Sequence, residues 1–275
     1  MAVQLRVVDL HTHSSFSDGT FTPAQLVHAA SAKKVELLAL CDHDTVDGCA
    51  AARATAAELK LEFVDGVEIS TQEDDHLHIL GYGVNPSDKK FCAILEDLRQ
   101  RRVERIKRMV QGLNRAGVAL EEGEVAAEAA SVRGRAHVAD ALVTKGYASN
   151  RPEAFRKFLV PGKAGYEPPV GIMACEAIGA IRACGGVPVL AHPGVVRDKW
   201  NFPQWVSAGL GGVEAYYPSH SVEVTRELLA IADRYGLLAT AGSDYHGPHS
   251  GISKLLGMKI PDDDYKKFRE RFFKL

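Results

Sequence analysis

The chain has 275 residues, 46% of them apolar and 25% charged, with a formal net charge of −2. That length suffices for one large α/β domain or two small ones with a real core, in the composition range of ordinary globular proteins. A near-neutral balance excludes a global basic field for long duplex nucleic acid or for an anionic membrane surface. Five cysteines, odd in number and without Cys-x-x-Cys spacing, point to reduced thiols. The N-terminus enters an apolar run directly, and no apolar stretch approaches the length of a membrane span. The expectation is a cytoplasmic protein, and the sequence carries no signature of an oligomeric state.

Leu5 to Val8 reads as a short strand running into Asp9-Leu10-His11-Thr12-His13. On extended chain, imidazoles two residues apart point the same way. A Ser-rich turn and Gly19 allow Asp18 to return toward the pair, which makes a metal half-site. Thr22-Pro23 looks like an N-cap with proline at the first helical position, opening a helix from Ala24 to about Lys34. A second strand, Val35 to Cys41, ends in Asp42-His43-Asp44. After an Ala-rich helix from Ala50 to Leu59, Leu61 to Val67 leads into Glu68. A fourth strand, His76 to Tyr82, carries His76 and His78 on one face.

Between Asp88 and about Pro169 the strand rhythm stops. Leu95, Leu98, Ile106, Met109, Val110 and Leu113 keep a helical period, while Arg99, Arg101, Arg105 and Arg108 occupy other faces, read mainly as solvated. Further helices fit 121–130, 137–145 and 152–159. Arg135 and His137, in the stretch 131–137, sit at a predicted helix N-terminus, where backbone N–H groups and a guanidinium fork hold anions. Lys163 is a weaker candidate of the same kind. The block 88–169 thus reads as a helical insertion into a domain made of 1–87 and 170–275.

Strand character then resumes. A helix over Ala174 to Ala183 precedes the strand Val187 to Ala191, which ends at His192-Pro193. Gly212 to Tyr216 is followed by His220 and a helix from Val222 to Tyr235. Leu237 to Gly242 delivers Asp244 and His246. Seven strands, most of them separated by helices and with polar residues at their ends, predict an irregular α/β barrel, an open doubly wound sheet being the alternative.

Collected, the strand-end residues are His11, His13, Asp18, His43, Glu68, His78, His192, Asp244 and His246. Six imidazoles and three carboxylates exceed what one ion needs and suit a cluster of two or three. Manganese, iron and zinc take mixed nitrogen and oxygen sets, whereas magnesium and calcium prefer oxygen alone. Asp42 and Asp44 have a simpler reading as caps of the next helix, and His76 as an exposed side chain.

These pieces, His11-Thr12-His13 with Ser17-Asp18-Gly19, Asp42-His43-Asp44, Gly66-Val67-Glu68, His78 to Tyr82, Ala191-His192-Pro193 and Gly242 to His246, resemble the PHP (polymerase and histidinol phosphatase) family of metal-dependent phosphoesterases. The resemblance implies a distorted (β/α)7 barrel with a trinuclear, preferably manganese, centre. One ion would take His11, His13, Glu68 and Asp244. A second would share Glu68 and add His78 and His192, and a third would take Asp18, His43 and His246. The insertion with Arg135 and His137, and the segment Tyr216 to His220, resemble the stand-alone branch acting on nucleoside 3′,5′-bisphosphates and on the 5′ ends of short RNA. Ala136 departs from that branch, where proline is common. The implied chemistry is phosphate-ester hydrolysis by a metal-bridging hydroxide. Glu68 and Asp244 hold the ions, Arg135, His137 and Lys163 bind substrate, and His220 acts as a phosphate ligand or general acid. Rival readings are a histidinol-phosphate-type phosphatase, an amidohydrolase and a metal-stabilised binding module.

Overall fold

The structure, a computed structural model, describes residues 4–125, 132–248 and 255–273. The seven expected strands are present: β1 (Leu5–Asp9), β2 (Leu37–Leu40), β3 (Glu62–Ser70), β4 (His78–Tyr82), β5 (Val187–Leu190), β6 (Gly212–Tyr216) and β7 (Leu238–Ala241). An eighth that the sequence reading lacks, β8 (Met258–Pro261), joins them in one sheet ordered β7-β6-β5-β4-β3-β2-β1-β8. The pairs among β1, β2 and β3 are parallel, as are those among β5, β6 and β7. β4 runs antiparallel to both neighbours. Only the short loop Thr71 to Leu77 joins it to β3, and a parallel return needs a longer crossover.

β8 pairs antiparallel with the first part of β1. Beyond it the N–H groups of Leu10 and His13 bond instead to the carbonyls of Ala241 and Tyr245, each at 2.9 Å. Those bonds bring the two ends of the sheet together, so the architecture is a nearly closed, distorted barrel. Strands such as β2 and β5 are buried along their whole length, as their unbroken apolar runs require. The barrel floor is sealed by Tyr82, Phe268 and Phe272, the last two from α9 (Asp262–Phe272), with Tyr82 and Phe268 ring centroids 5.4 Å apart.

Helices α1 (Pro23–Ala32), α2 (Cys49–Leu59), α6 (Ala174–Ala183), α7 (Phe202–Ala208) and α8 (Val222–Tyr235) pack around the sheet. Helix α1 opens with the predicted Thr22 cap and Pro23, reinforced by a capping box with Gln25. Helix α3 (Lys89–Arg115) spans two cores. Phe91, Leu95 and Leu98 pack in the outer barrel core with Ile178 and Ile181. Ile106, Met109 and Leu113 instead form a separate apolar cluster with Val138 and Leu142 of α4 (Arg135–Thr144) and with Leu159. The helix predicted over 152–159 is a short α5 (Arg151–Ala154) that widens into a π-turn at Phe155–Leu159. Of the helix predicted over 121–130, only a 3₁₀ turn at Glu122–Glu124 falls among the described residues, and 126–131 lie outside them. No helix among the described residues is long and apolar enough to cross a membrane.

Candidate metal centre

Strand ends bring the predicted ligands to one rim of the barrel. His11 and His13 follow β1, and the turn after them returns Asp18. A Cβ on Gly19 would lie 2.4 Å from the His13 carbonyl oxygen, so the turn closes only with glycine there. His43 follows β2, Glu68 lies in β3, His192 follows β5, and Asp244 and His246 follow β7. His78 opens β4, opposite Ser70. Because β4 is antiparallel, its start lies at the rim where the parallel strands end. His192 and Asp244 both adopt left-handed backbone, with φ of 29° and 54°. Such conformations cost non-glycine residues about 1–3 kcal/mol and concentrate at functional sites.

Glu68, buried in the centre, is the hub. Its Oε1 lies 2.7 Å from His78 Nδ1 and 3.0 Å from His192 Nε2. Its Oε2 lies 3.1 Å from His43 Nδ1 and 3.2 Å from both His11 Nε2 and His13 Nε2. Asp244 Oδ1 is 3.1 Å from His13 Nε2 and 3.5 Å from His11 Nε2, and Asp18 Oδ1 is 3.1 Å from His246 Nε2. Three convergent ligand groups result: His11, His13, Glu68 and Asp244; His43, Glu68 and His78; and His13, Asp18, His43 and His246. His13 and His43 each belong to two groups, a sharing the sequence motif does not display.

The donor chemistry fits bound cations. His11 Nε2, His13 Nε2, His43 Nδ1, His246 Nε2, Asp18 Oδ1 and Glu68 Oε2 are all buried without a hydrogen-bond partner, although such atoms are seldom left so. Burial opposes ionisation of Glu68, yet the imidazoles of His11, His43 and His78 outweigh it and hold its carboxyl well below the usual range. Asp244 is likewise held down, against burial, by His246, His11 and His13. Protons alone do not satisfy the set. Against the cost of burial, Asp244 and Glu68 push His13 up to about 10, whereas burial pulls His43 down to about 3. Divalent ions coordinated by neutral imidazoles and carboxylates remove that conflict.

A second ring of buried acids, which the sequence reading does not assign to the site, anchors the loops. Asp9 accepts from the Ser243 N–H and hydroxyl and from the Gly257 N–H, which pins the segment carrying Asp244. Asp42 does not cap a helix; it accepts from Ser14 and Ser17 and fixes the turn carrying Asp18. Glu214, in the middle of β6, reaches His11. The Tyr217 hydroxyl donates to Asp244 Oδ2 at 3.0 Å.

The PHP domain profile matches residues 9–148. A 3′,5′-nucleoside bisphosphate phosphatase of Chromobacterium violaceum is 37% identical over 255 residues, covering 89% of this chain and 88% of that protein. The chain belongs to the PHP family. The 5′-3′ exoribonuclease Rnm of Escherichia coli is 35% identical over 273 residues, with 92% and 89% of the two chains covered. A metal-dependent phosphoesterase of Bifidobacterium adolescentis superposes with a TM-score of 0.88 at 31% identity, covering 100% of this chain and 99% of the other. This PHP protein is therefore a hydrolase of phosphoric esters that uses divalent metal.

A cleft of about 370 Å³ lined by seven of the nine predicted ligands is also lined by four arginines, Arg102, Arg105, Arg135 and Arg151. Each is held by an acid. Arg102 pairs with fully buried Asp44, and Arg151 with Asp140. Asp75 bridges Arg105 at 2.7 Å and Arg135 at 2.9 Å. The Arg135 guanidinium also lies over the Phe155 ring, 5.6 Å from its centroid. Arg105, which reads as solvated in the sequence, is turned inward, and Arg102 has no place in the sequence reading of the site. The signal is nevertheless present, because Leu98, Arg102 and Arg105 fall at i, i+4 and i+7 on one helical stripe, and all three line the cleft.

The other predicted substrate residues sit differently. His137 is buried, and its Nδ1 accepts from the Gly134 N–H at 3.0 Å, closing the start of α4. His220 donates from Nδ1 to the Ala215 carbonyl and accepts at Nε2 from the Gly194 N–H, so both ring nitrogens are engaged. Lys163 is exposed on the turn after the π-turn. None of these three is among the residues lining the cleft.

Proposed function

We propose that the protein hydrolyses nucleoside 3′,5′-bisphosphates and the 5′ ends of short oligoribonucleotides, at a centre of three divalent ions held by the nine predicted ligands. The observation that carries this reading is that four arginines and most of the predicted metal ligands line one cleft. A substrate with two anionic groups engages both sets, and binding energy from the remote group can then be used in the transition state. The bisphosphate phosphatase and exoribonuclease relatives support the nucleotide class. Manganese is the ion favoured by the family resemblance, the mixed nitrogen and oxygen donors being compatible with manganese, iron or zinc.

Bound there, the ions would supply Lewis-acid charge and a nucleophile available at neutral pH. Glu68 and Asp244 hold them. Arg135 and Arg105, fixed by Asp75, present guanidinium N–H groups to the remote phosphate. Residues 88–169 act as the substrate-binding lobe, with Phe155 offering an aromatic face beside Arg135. His220 and His137 support the segments behind the cleft rather than touch the reacting atoms: neither lines it, and both His220 ring nitrogens and His137 Nδ1 are engaged. A cytoplasmic site of action goes with this reading, the five cysteines all being free thiols.

The test is kcat/KM on one manganese-loaded preparation for adenosine 3′,5′-bisphosphate, adenosine 5′-monophosphate, a short 5′-phosphorylated oligoribonucleotide and histidinol phosphate. The bisphosphate and the oligoribonucleotide should lead by at least about tenfold, roughly the effect of one extra charge-assisted hydrogen bond. Equal rates on the two adenosine nucleotides, or preference for histidinol phosphate, would refute the substrate class.

A further inference from the structure

We propose that Glu214 is a positioning residue of the metal centre, orienting His11 and His192 together and so coupling two of the ion sites. The inference rests on the three-ion reading above. Glu214 lies in the middle of β6, between Val213 and Ala215, and is completely buried. A carboxylate in a strand otherwise apolar at the same depth needs partners. Those it has are both parts of the metal centre. Its Oε1 lies 3.1 Å from His11 Nδ1, and its Oε2 accepts the His192 backbone N–H at 2.7 Å.

The bond to His11 sets a tautomer. A carboxylate oxygen at 3.1 Å from Nδ1 makes that ring nitrogen the natural donor to Glu214. Nε2 is then turned toward Glu68 and Asp244, at 3.2 and 3.5 Å, where it lacks any hydrogen-bond partner. A ring nitrogen facing two carboxylates at that distance is placed to share a cation with them. The bond to the His192 N–H holds the left-handed turn there, φ 29°, which swings that imidazole onto the opposite oxygen of Glu68. One carboxylate thus fixes a side chain on each side of the shared hub.

Room for this arrangement comes from Gly242. A Cβ there would lie 2.4 Å from Glu214 Oε1 and 2.2 Å from the His11 Cβ. The glycine after β7 therefore serves the approach of Glu214 to His11 as well as the chain direction. Partners of this kind behind metal-binding histidines fix ring orientation, and removing them commonly weakens metal binding 10- to 100-fold.

The test is a Zn²⁺ titration of chelated and reloaded full-length protein against a chromophoric chelator, with melting temperatures of the chelated forms alongside. In Glu214→Gln, two of the bound ions should weaken together by roughly 10- to 100-fold, while the chelated variant melts close to chelated wild type. Glu214→Asp keeps the charge but withdraws it by one methylene, so it should also be weakened. Wild-type affinity in Glu214→Gln, weakening of a single ion, or full recovery in Glu214→Asp would each overturn the proposal. A wild-type protein that takes up no zinc would instead overturn the three-ion reading itself.

Discussion

At one side of the cleft eight histidine, aspartate and glutamate side chains converge in three ligand groups, with His192 joining through Glu68 at 3.0 Å, and several of their buried atoms are left unpartnered. On the other, four arginines arrive with a carboxylate already attached. The first wall is incomplete without cations from outside the chain. The second carries most of its counter-charge in advance, three carboxylates for four guanidinium groups, so the arginines are held in place and one positive charge is left over. The difference separates the tasks. Under the proposed function, charge that drives the chemistry comes with the metal, and charge that selects the substrate is built into the helices.

The largest expected effect comes from breaking the first wall at its hub. Glu68→Gln keeps the shape of the side chain but removes a charge that faces five imidazoles. Phosphatase activity should fall by at least about 10²-fold, comparable with removing a partner behind a metal ligand or a transition-state donor. Elemental analysis should show a drop in bound metal as well. Full activity and metal content in that variant would mean that the hub is elsewhere.

Breaking the second wall at Arg102 should act on stability. Asp44 beneath it is fully buried, and removing one partner of a buried ion pair costs about 3–5 kcal/mol. Arg102→Met should therefore lower the melting temperature sharply, and denaturant unfolding measures the change. A variant as stable as wild type would show that Asp44 is held by the Ser70 N–H alone.

The smallest effect should come from the seam between the walls. Tyr217 lines the cleft and supports Asp244 through one hydrogen bond. Tyr217→Phe removes about 1 kcal/mol, roughly a fivefold drop in kcat/KM, with metal content retained. A drop of 10³-fold would instead make its hydroxyl a participant in the reaction.

The same division explains what can be read from the sequence. His11 and His13, His43, Glu68, His192, Asp244 and His246 sit in short motifs beside strands, so strand periodicity places them without knowledge of packing. His78 is legible too, although its place at the start of an antiparallel strand is not. The arginine wall joins α3, α4 and α5, elements whose relative placement depends on the Ile106–Val138–Leu159 cluster. Local pattern does not report that placement, and Arg105 accordingly reads as solvated. Lys163 and His220 draw attention by type and neighbourhood, yet tertiary structure leaves one exposed and ties the other to Ala215 and Gly194. β8 escapes because four residues with a single deeply buried side chain carry little periodic signal. By contrast α9 does show a helical stripe, Tyr265, Phe268 and Phe272 at i, i+3 and i+7, which the sequence reading leaves unused. Glu214 has a signal, a lone acid inside an apolar strand, but its partners are distant in sequence.

The division of labour is tested most directly at Arg135, by kcat/KM for adenosine 3′,5′-bisphosphate and adenosine 5′-monophosphate in wild type and in Arg135→Ala. Removing a charge-assisted hydrogen bond to phosphate in a buried site weakens transition-state binding by about 2–4 kcal/mol. The bisphosphate rate should therefore fall roughly 30- to 1,000-fold, with the monophosphate rate nearly unchanged and the metal content the same. Equal falls on both substrates would contradict the account, placing Arg135 in the chemistry or in the fold rather than in the choice of substrate.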